Sequence, residues 1–533
     1  MSAPTFAGRT AARGIRWSLG AVVAKQGFQV LCAVVLARIL GPSSYGVISA
    51  ATVYIMFMSL LLDQGLSAAL IQRESVARRT AGAAAGLNLL MAVALAGLTV
   101  AAAPHLAAFF RAAALEPVLL LLAAALPLKA LSIVPRAMLS RELHFRGIGA
   151  ADIAAAAAGA AAGISAALLG AGYFAIVPQI LAADLLTAAI LLGAARGPVP
   201  NLRLSEVRPL LAFSASVFAT NWLAYFSRNM DNILVGRVLG VAALSFYSMA
   251  YRIMVIPVQL IGQTVNRVMF PAISRSAGDR SVVAGHLATT TRLLAMAVIP
   301  MMALVACTAH DLVLLVLGEA WLPAAPLMAV LAIGGARETV FYITPPLMKG
   351  LGRAGLNLRY ELLAFALQVG GIVAGLQFGL LGVAVGLVAA GFLLTPVLLG
   401  IQKRLCGISV RTQLGNIWPP LHASLWAGGA YLGLLAVPAA PPAGAARLAL
   451  GGAVFLLVLA AVLFLAHRRR LIEFLSLAQP LGSRRAQARS GRHVQTGADT
   501  TATPSHEPSN PAGAPAPANS DAPESNRAAR SHS

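Results

Sequence analysis

Ionisable side chains set inside long apolar runs are where this sequence concentrates its possible chemistry. Lys25, Arg252 and Arg337 are cations flanked by Ala, Leu, Val and Ile, and Asp63, Glu338 and Glu361 are acids in similar surroundings. A charge at bilayer depth costs about 2.5–3.5 kcal/mol on insertion scales, so such groups face a cavity or a partner. Lysine and arginine placed there bind phosphate or carboxylate, arginine in bidentate fashion. Gathered around one cavity, Lys25, Arg252 and Arg337 would suit a diphosphate or an acidic sugar better than a cationic drug. The acids Asp63, Glu338 and Glu361 are candidates for coupling such binding to a proton or a sodium ion.

Lys25 lies well inside an apolar stretch running from Ile15 to about Leu36, close to the middle of a bilayer crossing. Gln26 and Gln29 follow it, and spacings of three and four place Lys25, Phe28 and Gln29 on one helical face. That polar stripe points to a wet cavity, or else to a buried pair with an acid such as Asp63. Arg252 ends the run Phe246-Tyr247-Ser248-Met249-Ala250-Tyr251-Arg252, where Tyr251, with Asn221 elsewhere, offers hydrogen bonds to carbohydrate. Arg337 and Glu338 are sequence neighbours on a helix and so point in different directions. Lys129, Asp152, Arg228, Asp231, Arg292 and Glu361 fall near segment ends, where long side chains snorkel to headgroups or pair locally. Asp311 and Glu319 are expected to be solvated helix-end carboxylates.

The elements that must position these groups follow from composition. Of 533 residues 58% are hydrophobic and only 11% charged, with a mean hydropathy of +0.78. Soluble domains carry about 45–50% apolar and about 25% charged residues, so a soluble enzyme, a disordered chain and a secreted disulfide scaffold are all excluded. A net charge of +22 would suggest nucleic acid, but the basic residues come in small groups between apolar runs and form no binding stripe. Cys32, Cys307 and Cys406 show no metal-ligand spacing, and no nucleophile–base constellation or Walker A sequence is present. Neither a catalytic site, a metal nor a cofactor is expected. The fold class is an all-α polytopic membrane protein.

A crossing needs about 20 apolar residues. Breaks at Gly, Pro and charge clusters predict fourteen spans, at 15–37, 45–67, 81–103, 117–134, 148–170, 172–193, 210–229, 241–262, 288–308, 323–344, 359–377, 380–400, 420–437 and 446–466. Loops after the even-numbered spans up to the twelfth carry three Lys or Arg apiece, whereas the opposite loops hold only Arg38, Arg111, Arg228 and Arg237. Positive residues stay inside, so both termini are expected in the cytoplasm. The outer loops are too short to carry the acid and base groups of a membrane glycosyltransferase.

The organisation expected is a cytoplasmic segment 1–14, a first lobe of six spans over 15–193, and a linker 194–209. A second six-span lobe over 210–400 and two further spans within 401–466 follow. Residues 467–533, basic and then rich in Pro, Ala and Ser, cannot bury enough apolar surface to fold. The basic part of this tail suits anionic lipid headgroups. The two lobes show a repeat. Ala37-Arg38-Ile39-Leu40-Gly41 and Gly236-Arg237-Val238-Leu239-Gly240 share a pattern at corresponding places, and Arg38 and Arg237 differ in number by 199. Parallel repeats around a central cavity suit alternating access.

The run Leu36–Gly46, the segment Leu62–Arg73, and the later segments Val235–Gly240, Phe246–Arg252 and Met269–Arg275 together resemble the Wzx-type polysaccharide and O-antigen flippases. They are most similar to the branch that includes colanic-acid and lipopolysaccharide exporters. The resemblance covers about 10–410 and places the chain in the multidrug/oligosaccharidyl-lipid/polysaccharide (MOP) exporter superfamily. It implies that undecaprenyl-diphosphate-linked oligosaccharide is moved across the bacterial inner membrane by ion-coupled alternating access. It also implies a V-shaped pair of lobes around a cationic cavity, with polysaccharide polymerase or chain-length machinery as candidate protein partners and no nucleic acid. The rival readings are a MATE-like drug exporter and a non-transporting scaffold for glycan assembly.

Overall fold

The computed structural model describes residues 6–73, 76–195, 199–438 and 441–478. Arg196 of the inner loops and the tail from residue 479 lie outside them. Two units divide the chain, Met1–Phe474 and Leu475–Ser533. The described residues form α-helices joined by short turns and three brief 3-10 segments, with no strand among them.

In the first half these are α1 (Phe6–Asp63), α2 (Leu66–Gln72), α3 (Arg78–Phe110), α4 (Leu115–Leu122), α5 (Ala125–Arg141), α6 (Phe145–Leu168) and α7 (Ile176–Ala195). The second half contains α8 (Arg208–Val238), α9 (Val241–Arg275), α10 (Arg280–Val316), α11 (Ala324–Phe341), α12 (Thr344–Gly350), α13 (Ala354–Leu376) and α14 (Gly379–Cys406). Then come α15 (Val410–Leu435) and α16 (Ala445–Ala478). Each of the fourteen predicted intervals coincides with a helix, a helix arm or a bent helix pair.

Among the described residues nine helices are long and apolar enough to cross a membrane, or ten when α4 and α5, bent by 42°, count as one span. One of the nine, Val22–Asp63, has 42 residues. At 1.5 Å per residue that is about 63 Å of helix, roughly twice the hydrocarbon thickness. It is broken where the sequence puts Gly41 before Pro42: Gly41 takes φ 71° and ψ 173°, a conformation outside the helix. Glycine reaches it without a Cβ clash, and proline cannot donate to the preceding turn. Helices α8, α9 and α15 fall outside the nine. In α8 and α9, Asn221, Arg228, Asp231, Arg252 and their polar neighbours lower the hydropathy. The count of fourteen crossings therefore rests on the charge pattern of the loops.

The packing uses small residues, as membrane helices do where lipid and core are equally apolar. On α13 and α14, a Cβ on Gly371 would stand 2.4 Å from the carbonyl oxygen of Gly386, and one on Gly386 2.0 Å from that of Gly371. These helices touch backbone to backbone. The largest buried cluster draws Leu36, Tyr45 and Leu62 from α1, Leu119 from α4, Tyr247 and Met254 from α9 and Leu331 from α11. One core thus joins the two halves.

The final two helices are fastened to α10 by a buried polar joint. Asp311, 0% exposed, accepts from Arg447 Nη2 at 2.7 Å and Nε at 2.9 Å, from the Tyr431 hydroxyl at 3.1 Å and from the Gly444 amide at 3.0 Å. This corrects the expectation of a solvated helix-end acid. Sequence position alone does not show that α15 and α16 cover the end of α10 and bring a guanidinium to it.

Candidate functional site

Helices α1, α5 and α6 bring together the first cationic group. Lys25 Nζ lies 3.5 Å from Asp152 Oδ1, and Arg136 grips the same carboxylate with Nη2 at 2.7 Å from Oδ1 and Nη1 at 3.3 Å from Oδ2. Two cations share one acid, so the cluster keeps a formal charge of +1 while no member is unpaired. The Lys25 side chain stays 38% exposed. Phe28 and Gln29 on the same face are exposed and Gln26 is half-buried. The acid beside Lys25 is Asp152 and not Asp63. Asp63 instead ends α1 and accepts from the Ser67 hydroxyl at 2.5 Å and, more weakly, from the Ser67 amide at 3.4 Å across the turn into α2. Lys129 of α5 pairs with Asp184 of α7 at 3.8 Å and donates to Ser59 of α1 at 3.1 Å.

The second group lies on α8, α9, α11 and α13. Helix α8 continues to Val238, past the predicted end at 229, so Arg228 and Asp231 lie within the helix and not at its end. Arg228 is therefore a residue of the helix and not of a loop. Asp231, 5% exposed, accepts from the Tyr247 hydroxyl at 2.9 Å and from the Asn232 amide at 2.8 Å. Tyr251 stacks on Tyr247 with ring centres 5.9 Å apart. The charges of Asp231, Glu338 and Arg228 act on Tyr251, and those of Arg337, Arg228 and Glu361 act on Glu338. Glu338 and Arg228 are both exposed, with charges of other helices near Glu338. Asn221, also exposed, stands on α8 seven positions before Arg228, two turns along the same face.

Arg252, half-buried on α9, has Cys32 and Tyr45 of α1 as electrostatic neighbours, so it faces the first half. Arg337 is directed elsewhere. Its Nε donates to Thr395 Oγ1 of α14 at 3.1 Å, its guanidinium lies 5.9 Å from the Phe341 ring centre, and Tyr360 of α13 is an electrostatic neighbour. One of its buried nitrogens, Nη2, has no hydrogen-bond partner. Lys25, Arg252 and Arg337 thus occupy three neighbourhoods: inside the first half, between the halves, and inside the second half.

Arg136 as a member of the cationic group, and Asp152 as the partner of Lys25, were not singled out by sequence, and Arg228 was read as lying near a segment end. The signal available for α8 was the density of polar residues in Ser227-Arg228-Asn229-Met230-Asp231-Asn232 within an otherwise apolar helix. For Asp152 there was none, because its partner stands 127 positions away (152 against 25).

Residues 35–326, over half of the chain, match the family model described as polysaccharide biosynthesis protein. The teichuronic acid biosynthesis protein TuaB of Bacillus subtilis is 27% identical over 57% of this chain, and the match spans 64% of TuaB, a little under two thirds of its length. The lipopolysaccharide biosynthesis protein WzxC of Escherichia coli is 24% identical over 77% of this chain and 85% of its own. Among solved structures, the lipid II flippase MurJ in an inward closed conformation superposes with a TM-score of 0.70 at 14% identity, covering 86% of this chain and all of MurJ. An inward-facing MATE family transporter of the MOP superfamily gives 0.58 at 17% identity over 72% of this chain and 95% of its own. These likenesses agree with the resemblance carried by the motifs around Arg38, Asp63, Arg237 and Arg252. The chain belongs to the polysaccharide biosynthesis protein family and has the fold of MOP superfamily transporters.

Proposed function

We propose that this protein is a flippase of the bacterial inner membrane, with both termini in the cytoplasm, that moves undecaprenyl-diphosphate-linked oligosaccharide from the cytoplasmic to the periplasmic leaflet. Transport proceeds by alternating access coupled to a proton or sodium ion. Relatives named for lipopolysaccharide and teichuronic acid biosynthesis, and a fold shared with a lipid flippase, support the substrate class. The observation that carries the reading is Arg252, a half-buried cation on α9 whose charge acts on Cys32 and Tyr45 of α1 in the opposite half. The Lys25–Arg136–Asp152 cluster adds a net positive charge on an accessible face. An anionic diphosphate is the natural counter-ion for both. Glu338 and Glu361, exposed beside Arg228, are the groups best placed to bind the coupling ion.

The test is a deletion strain complemented by variants, with lipid-linked sugars extracted and assigned to a leaflet. Arg252→Ala and Lys25→Ala should accumulate the lipid-linked unit on the cytoplasmic side. Asp152→Asn, which raises the cluster's charge while leaving both cations in place, should retain export. If Arg252→Ala and Lys25→Ala both export normally, the site assignment is wrong. Loss of export on deleting 480–533, with the cavity variants normal, would favour a scaffold.

A further inference from the structure

The repeated motif around Arg38 and Arg237 has no part in the substrate site, yet the structure gives both arginines the same task. Arg38, just before the Gly41 break in α1, donates to the carbonyls of Leu315 at 2.9 Å and Val316 at 3.4 Å, the last residues of α10. Arg237, at the end of α8, donates to the carbonyl of Phe109 at 3.0 Å, at the end of α3, and lies over the Phe109 ring. Helices α3 and α10 hold corresponding places in the two halves. Each arginine therefore reaches into the opposite half and caps a long helix there, Arg38 capping α10 and Arg237 capping α3. The final carbonyls of a helix lack intrahelical partners and carry the negative end of its dipole, so a guanidinium fits them.

The surrounding contacts repeat the pattern. The indole of Trp321, 1% exposed, donates to the Ala37 carbonyl at 3.0 Å, and its ring meets Tyr45 and Phe246 edge-on at 5.6 and 5.8 Å. At the related position Phe110 packs on Gly236. Between the two clamps, Ser49 and Ser248 hydrogen-bond to each other at 2.9 Å, and they too are separated by 199 positions. Equivalent residues that touch must lie on the axis relating the halves. A Cβ on Gly46 would stand 2.1 Å from the Val241 carbonyl oxygen, so the backbones meet there.

All these residues lie at the end opposite the arginine-rich loops. We propose that the paired clamps Arg38–Leu315 and Arg237–Phe109, with the Ser49–Ser248 contact on the axis, form the outer gate, closed in this structure. It must break for the carried sugar to leave on the outer side. This rests on the transport reading and assigns the arginines of the repeat to gating instead of substrate binding.

The gate is tested in full-length protein with Cys32, Cys307 and Cys406 replaced. In the first arm Ser49→Cys/Ser248→Cys is oxidised, and the bond is verified by the two halves staying joined after cleavage at a protease site placed between α7 and α8. Oxygens 2.9 Å apart place the sulfurs within reach of a disulfide. Export should stop on oxidation and return on reduction. Export that continues through a verified cross-link, or cysteines that do not join, overturns the gate. In the second arm Ser49→Cys alone is labelled from outside with a membrane-impermeant maleimide, in protein shown monodisperse by size exclusion. Adding Arg38→Ala/Arg237→Ala should raise the labelling rate about tenfold, the effect of weakening charged hydrogen bonds that hold the closed state. An unchanged rate overturns the proposal. This arm needs no substrate: a cysteine-replaced parent that fails to complement the deletion, while labelling responds as expected, counts against the transport reading and not against the gate.

Discussion

Asp311 offers the sharpest energetic prediction. Its carboxylate is fully buried and held by Arg447, Tyr431 and the Gly444 amide, so it ties α10 to α15 and α16 at once. Truncation to Ala removes four donors' acceptor and strands the guanidinium. Removing one partner of a buried ion pair costs about 3–5 kcal/mol in soluble proteins. Hydrogen bonds between membrane helices are weaker, averaging about 0.6 kcal/mol with a maximum near 1.7. The Arg447 side chain is 20% exposed, so water relieves part of its loss. Asp311→Ala should then destabilise the protein by about 2–4 kcal/mol, with Arg447→Ala somewhat milder because Tyr431 and Gly444 still serve the acid. The measurement is thermal unfolding in detergent followed by labelling of Cys307 with Cys32 and Cys406 replaced. Cys307 lies on α10 against Gly428 of α15, so it becomes reactive when these helices part. Single and double variants complete a cycle, with an expected coupling of about 1–2 kcal/mol. If the double variant equals the sum of the singles within about 0.5 kcal/mol, or Asp311→Ala melts like the parent, the joint does not hold these helices.

Two further outcomes follow from the packing and the loops. Gly386→Val should cost about 1–3 kcal/mol by forcing α13 from α14, whereas Gly370→Val, where a Cβ meets nothing within 4 Å, should melt within about 0.5 kcal/mol of the parent. Equal melting of the two variants would contradict the backbone contact. Asp279 caps α10, accepting from the Ser281 hydroxyl at 2.7 Å, the Val282 amide at 3.2 Å and the Ser281 amide at 2.8 Å. These bonds, the Ser281 hydroxyl first, hold its carboxyl below the usual carboxylate range. A lowered folded pKa means the contribution is complete above about pH 4 and is lost as pH falls through the folded value. Asp279→Ala should therefore melt below the parent at pH 7, with the gap closing in acid. A gap that persists below both pKa values would show that the cap does not act through its charge.

Much of the architecture was legible because hydropathy and chain punctuation are local. The close helix pairs near residues 170 and 379 separate at glycines with positive φ, Gly170 and Gly172 in one case and Gly379 in the other. The repeat was legible as well. An offset read from Arg38 and Arg237 reappears as the hydrogen bond between Ser49 and Ser248, because a duplicated bundle folds each copy alike and brings equivalent positions to a common axis. The pairing of charges was not legible. Lys25 suggested a wet cavity or else a pair with an acid such as Asp63, Asp311 looked like a solvated helix-end acid, and Arg228 was counted with the outer-loop cations.

The sequence by itself determined that the chain is a helical membrane protein, where its helices break, that it carries two related halves, and which family it resembles. Each depends on composition, on residues close in the chain, or on a repeated spacing. Only the tertiary structure decided that Asp152 serves Lys25 and Arg136, that Arg252 faces α1 while Arg337 turns inward to Thr395, and that Arg38 and Arg237 span the two halves. Helices in a bilayer are fixed along their own axes by hydropathy, but their rotations and lateral neighbours come from packing. Those rotations and neighbours determine which charges meet.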